Sequence, residues 1–299
     1  MNALSTSSPA AATRPIAYRT SGHKHGPITR LTSPADLGQS LKPFVLLDLI
    51  DVSPATMQAI ADRPLHPHSG IATVTLITEG HVRYEDPGKA SGTLGYGGVE
   101  WMRAGGGVWH GKELSPGKAP RIQAFQLWLA LRPDQENSAP VSRYIEAHDI
   151  PRTGPAHVIL GRHGDAQSPV PAPEGINYLL VTLKPGESWT YQPPTGHSVG
   201  WLAIARGSLD AGTPLATGEM AVFEHGETPI TLTSSGKENA VFILGSAEPH
   251  PYPLHLGHHS IHTSAQALAA GQRRILELEK KLRAAGDRRT ESGSIPVFR

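Results

Sequence analysis

Arg63-Pro64-Leu65-His66-Pro67-His68-Ser69-Gly70 leads directly into Ile71-Ala72-Thr73-Val74-Thr75-Leu76-Ile77, and these residues decide how the chain is read. The apolar and β-branched run after Gly70 predicts a strand. Two histidines at i and i+2 on a strand point to one side, a few ångströms apart, which suits two imidazoles on one metal. Pro67 stiffens the pair. If no bulge intervenes at Gly70, Ala72, Val74 and Leu76 continue the same even-numbered face, and that face is expected to line a barrel interior.

Outward from this stretch, short apolar segments alternate with Gly/Pro turns: Phe44–Asp51, Val99–Arg103, Ala124–Leu131, Val158–Gly161, Tyr178–Leu183, Gly200–Arg206, Met220–Phe223, Ile230–Thr233 and Ala240–Gly245. With 32 Gly and 27 Pro, the rhythm is that of an all-β sandwich or barrel. In Phe125–Leu131 the odd positions are apolar, while Gln126, Trp128 and Ala130 share the other face, so period two argues strand. The polar, Pro-bounded segment 133–140 reads as an inter-domain linker. Ser264 to Ala285 breaks the pattern: Leu268, Ile275, Leu278 and Leu282 recur at helical spacing, Ser264 is the expected N-cap and Gly286 the stop. Arg273, Arg274, Lys280, Lys281 and Arg283 form its basic, solvated face. Residues 1–14 read as a disordered lead and 287–299 as a polar tail.

Composition narrows the function. The 27 Lys+Arg and 26 Asp+Glu of the 299 residues nearly cancel, so the sequence offers no electrostatic case for nucleic acid. The absence of cysteine excludes disulfides, thiolate metal sites and Cys nucleophiles. No apolar run is long enough for a membrane helix, and the N-terminus does not read as a signal peptide, so a cytoplasmic protein is expected. The 16 histidines direct attention to metal.

The second informative stretch is Val99-Glu100-Trp101-Met102-Arg103-Ala104-Gly105-Gly106-Gly107-Val108-Trp109-His110-Gly111-Lys112-Glu113. Its glycine triplet lacks the Lys-Ser/Thr and the helix of a phosphate loop and reads as a tight hairpin corner. Together with Arg63–Gly70, Thr73-Val74-Thr75, Glu79-Gly80 and Gln126-Leu127-Trp128, it resembles the pirin family. Ser33–Gly38 and Pro43–Asp48 add to the likeness, which is strong over about residues 25–150.

The resemblance implies two cupin (jelly-roll) barrels in tandem with a short C-terminal helix. It places a metal-bearing barrel at 15–140, a metal-free barrel at 141–262, and the helix at 263–286. It also implies one divalent metal, usually iron, with His66, His68 and His110 as ligands. The family's fourth ligand, a Glu two residues after the third His, is replaced by Lys112. Glu113 comes one step later, on the opposite face of a regular strand, and a one-residue bulge at Gly111 would restore it. The further cupin position four residues after the second His is Ala72. Imidazole and carboxylate ligands suit Fe(II), and equally admit Mn, Ni, Cu or Zn. Gln126 either steadies a ligand from behind or is an ordinary polar residue on that face.

Other histidines are read as solvated: His23 and His25 near the lead, and His250, His255, His258, His259 and His262 around Pro251 and Pro253. His163, His197 and His225 are scattered over the second barrel. No Ser-His-Asp arrangement with a nucleophile elbow is evident. The family likeness implies a quercetin 2,3-dioxygenase-type enzyme, with a flavonol held through its hydroxyl and carbonyl oxygens for attack by O2, and Glu113 as catalytic base. The alternative is a redox-responsive regulator that acts through protein partners. Neither reading invokes direct nucleic-acid or membrane binding.

Overall fold

Gly70 sets the architecture. The computed structural model describes residues 13–85, 90–111 and 113–284. In it the His66–His68 strand and the Ile71–Glu79 strand are separated by Gly70 at φ 73°. The left-handed residue shifts the pleat by one. The even-numbered Ala72, Val74 and Leu76 therefore do not line the first barrel, as the uninterrupted reading expected; they pack with Tyr178, Leu180, Trp201 and Ile243 of the second half of the chain. The odd-numbered Thr73 and Thr75 take the inner face with the histidines, opposite Trp128 and Gln126 on the paired Ile122–Ala130 strand. A Cβ at position 70 would sit 1.9 Å from the Ile261 carbonyl oxygen, so glycine is required by conformation and by space.

Two seven-stranded antiparallel sheets carry the fold, which is all-β with two α-helices among the described residues. The first runs Val141–Ile145, Val99–Arg103, Ile71–Glu79, Ile122–Ala130, Phe44–Val52, Ile28–Thr32, His23–His25. The second runs Ile16–Thr20, Met220–Phe223, Val199–Arg206, Ala240–Ala247, Ile176–Leu183, Ala156–Leu160, Arg152–Thr153. Each is closed by shorter strands. In the first barrel these are the three-stranded Leu114–Pro116, Val82–Glu85, Ser91–Leu94 sheet and the pair Val108–His110 with His66–His68. The outer faces of the two large sheets form one shared core. Phe125, Leu127 and Leu129, the odd face of their strand, are fully buried there, and Phe44 meets Trp201 edge-on at 5.3 Å between ring centroids.

Several boundaries move. Ile16–Thr20 pairs with Met220–Phe223, so the strand placed in the first barrel by the 15–140 boundary belongs to the second sheet. Val141–Ile145 pairs with Val99–Arg103, so the first sheet continues past residue 140. Arg14, placed in the lead, is buried, and its Nε donates to the Thr228 carbonyl at 3.0 Å; residues 1–12 lie outside the described residues. The glycine triplet does not close a hairpin: Val108–His110 leaves the Val99–Arg103 sheet and pairs with His66–His68. A short helix, Pro54–Ala61, escaped the sequence reading. The Ser53 hydroxyl caps it, accepting from the Thr56 N–H at 3.2 Å, and Pro54 opens it.

The C-terminal helix is Ala265–Ala284, with the Ser264 hydroxyl accepting from the Ala267 N–H at 3.1 Å. Gly271, Ile275 and Leu278 are its buried residues, and the Trp109 indole donates to the Ile275 carbonyl at 3.0 Å. The helix thus docks on the Val108–His110 strand of the first barrel. Gly286 and the tail at 287–299 lie outside the described residues.

Gly70→Ala is expected to lower stability by on the order of 3 kcal/mol, combining left-handed strain with a backbone clash, as read by urea denaturation.

Candidate metal centre

The register of two short strands brings the histidines together. His66–His68 runs antiparallel to Val108–His110, with His66 opposite His110 and His68 opposite Val108. Cross-strand neighbours and i, i+2 neighbours on one face are the closest side chains a sheet offers. The ring centroids lie 4.8 Å apart for His66–His68, 4.4 Å for His66–His110 and 5.0 Å for His68–His110. One nitrogen from each falls within 4.8 Å of the others.

Their chemistry fits a cation. His68 Nδ1 is 2.9 Å from the His259 carbonyl, an acceptor that requires Nδ1 to carry the proton and leaves a lone pair on Nε2. Nε2 of His68 and of His110 is buried without a hydrogen-bond partner among the described residues. Burial, the charge of His259 and that of Arg63 push the His66 pKa down to about 4. Burial and the charge of His66 take His68 down to about 3, and burial with the other two imidazoles holds His110 well below its ordinary range. All three are therefore neutral, as ligands must be.

Glu113 reaches the same side as His110 because Gly111, at φ 132°, ends the regular strand. Its carboxylate is buried, accepts from the Gly111 N–H at 2.9 Å, and lies 3.9 Å from His110 Nδ1. It is not one of the three converging groups. Lys112 lies outside the described residues. Gln126 shares the inner face with Trp128, whose ring packs edge-on against His68 at 4.9 Å; no hydrogen bond joins Gln126 to a histidine among the described residues.

Three neighbours escaped the sequence reading. Glu100 lies buried on the inner face, accepting from the Thr75 hydroxyl at 2.8 Å, and burial with repulsion from Glu113 raises its pKa to about 7. A carboxylate in the apolar run Val99–Met102 was the available signal. His259, read as solvated, is exposed but brings its ring within 5.9 Å of His66 and 5.8 Å of His68. His262, also read as solvated, is buried and clamped: Nε2 is 3.0 Å from Ser69 Oγ and Nδ1 is 3.3 Å from Glu136 Oε2. His250 too is buried. Glu136 also accepts from the Thr263 N–H at 2.6 Å and the Thr263 hydroxyl at 2.7 Å. Segment 133–140 is thus an anchor for the C-terminal chain as well as a connection. Ser69, His262 and Glu136 stand in a serine–histidine–acid order, yet all three are buried, so they serve as a structural clamp.

The sequence profile of the family described as Pirin matches residues 27–129. Pirin-like protein 2 of Arabidopsis thaliana is 30% identical over 234 residues, covering 72% of this chain and 68% of its own. A Pseudomonas aeruginosa protein named "Putative quercetin 2,3-dioxygenase PA3240" is 33% identical over 229 residues, covering 71% and 76% respectively. A quercetin 2,3-dioxygenase from Acinetobacter baumannii has a similar structure, with a TM-score of 0.72 at 23% identity over 93% of this chain and 99% of that one. Escherichia coli pirin YhhW, solved in complex with nickel(II), gives 0.57 at 17% identity over 79% and 96%. At these identities the two structures speak for the shared tandem-barrel fold.

Two outcomes follow from the clamp and the neutral imidazoles. Glu136→Ala leaves the Thr263 N–H without its buried acceptor; it should cost about 1–3 kcal/mol and raise amide hydrogen exchange across residues 255–284. Folded metal-free protein takes up fewer protons than unfolded chain once pH falls below about 6.5, so stability should decline from pH 7 to pH 5. His68→Gln should flatten that decline, measured by denaturant midpoints in the presence of a chelator.

Proposed function

The chain belongs to the pirin family, and from that membership and its three converging imidazoles we propose a mononuclear non-haem metal oxygenase of the quercetin 2,3-dioxygenase type. The observation that carries the reading is the pair of buried Nε2 atoms on His68 and His110, which have no hydrogen-bond partner among the described residues and converge with His66. In this proposal His66, His68 and His110 hold one divalent metal, with Glu113 as fourth ligand. Fe(II) is preferred because neutral imidazoles plus a carboxylate with open positions suit oxygen chemistry. When bound, the metal supplies Lewis acidity and a template for a flavonol and O2.

The residues of the chain do the remaining work. The His259 carbonyl fixes the His68 ring, so its lone pair keeps one direction. Trp128 presents an aromatic wall beside His68 on the inner face, suited to a flat polyphenol. Glu113 is the proposed base for the flavonol hydroxyl. Glu100, already inclined to hold a proton near neutral pH, sits close enough for the charge on Glu113 to act on it, so a proton taken up by Glu113 would ease the ionisation of Glu100. Loss of the hydroxyl proton, uptake of O2 and ring opening with release of carbon monoxide complete the reaction.

Plasma mass spectrometry and O2 uptake test this directly. About one metal per chain and metal-dependent O2 consumption with quercetin are expected. His66→Ala and His110→Ala should each lose the metal and at least about 100-fold of the activity while keeping the wild-type circular dichroism. Metal that stays in both variants, or a loaded protein inert towards flavonols, would defeat the proposal. The second outcome would leave the partner-binding regulator of the sequence reading.

A further inference from the structure

A polar pocket opens where the two barrels meet. It has a volume of about 460 Å³ and is lined by Tyr96 from the first barrel and by Arg152, His157, Thr182, Arg206 and Val241 from the second. None of the metal-centre residues lines it, and neither does any carboxylate. Two guanidiniums therefore face one cavity with no opposing charge on its walls. Neither has an ion-pair or hydrogen-bond partner among the described residues. Arginine side chains placed this way are forks awaiting an oxyanion.

The third group is His157, which is only 6% exposed. Its Nδ1 is buried with no hydrogen-bond partner, closed off by Gly97, where an added Cβ would come within 2.9 Å of it. A nitrogen sealed against a methylene has no acceptor for a proton. The economical tautomer puts the hydrogen on Nε2, which likewise meets no protein partner among the described residues. Burial and the charge of Arg152 push the His157 pKa down to about 4, so at neutral pH it is an uncharged N–H donor. Tyr96 stacks edge-on to His157 at 5.7 Å, and its hydroxyl is 2.5 Å from the Thr182 hydroxyl, which ties the first barrel to the second across the pocket. The Tyr96 ring and Val241 supply an apolar wall.

We propose that this inter-barrel pocket binds a small organic oxyanion, a carboxylate or phosphate ester with a compact apolar or aromatic body. Arg152 and Arg206 hold the charged group, His157 donates from its free nitrogen, and the body lies against Tyr96 and Val241. The occupant spans residues of both barrels, so its binding also stabilises their docking.

Isothermal titration calorimetry and thermal unfolding of the full chain in low-chloride buffer test the site, with benzoate, phenyl phosphate and neutral benzyl alcohol as probes. Saturable binding of either anion, with a rise in melting temperature and no binding of the alcohol, is expected. The stronger of the two anions identifies the headgroup. Arg152→Gln and Arg206→Gln, both at exposed positions, should each weaken binding by roughly tenfold. His66→Ala should leave it unchanged, which separates this pocket from the metal centre. No saturable binding of either anion up to about 10 mM would overturn the assignment. So would equal binding of the alcohol, or binding that survives in the double arginine variant.

Discussion

The left-handed backbone at Gly70 is the constraint on which both halves of the molecule depend. On one side of it, His66 and His68 face into the first barrel. On the other, Ala72, Val74 and Leu76 face out into the core shared with the second barrel. A regular strand would put all five on one face, and either the site or the inter-barrel core would be lost. The absence of a side chain at this residue also lets Ile261 and His262 of the C-terminal hairpin approach the backbone.

That close approach explains why the chain's end belongs to the site at its beginning. Strand pairing alone aligns His66 with His110, but it leaves His68 free to choose a tautomer. The His259 carbonyl makes the choice, and Ser69, Glu136 and Thr263 hold the hairpin that carries it. Burying Glu136 would be costly for an unpaired carboxylate; two hydrogen bonds from Thr263 and the His262 ring beside it offset the cost. The helix that follows covers Ser69 and His262 through Gly271 and packs on Trp109. The order of the first barrel's three converging imidazoles thus rests on residues almost two hundred positions away.

The histidine cluster and the inter-barrel pocket divide the electrostatics. Around the histidines, Glu100 and Glu113 crowd carboxylates into a buried space, where burial and the charge of Glu113 make Glu100 harder to ionise. At the seam between barrels, Arg152 and Arg206 meet no counter-charge among the described residues that line their pocket. The nearly neutral sum of charges hides this local separation.

The amino-acid sequence alone was enough to recognise short alternating strands, the helix capped by Ser264, the family resemblance and the trio His66, His68 and His110. The strands and the helix follow from local periodicity, and the pair His66 and His68 from i, i+2 spacing on a strand; His110 joins them only through the family resemblance. It could not reveal which face of Ile71–Glu79 turns inward, because one residue's φ decides that. Nor could it distinguish the exposed His258 and His259 from the buried His262, since burial depends on what a distant loop supplies. The strand Ile16–Thr20 reads like any other until its partner is known, and that partner lies some two hundred residues downstream. Glu113 shows the division most clearly. Spacing placed it out of phase with His110, and the fold turned it back at Gly111, bringing its carboxylate beside His110 while leaving it outside the three-imidazole group. Sequence periodicity describes regular elements, whereas bulges, long-range pairing and burial are settled only when the whole chain packs.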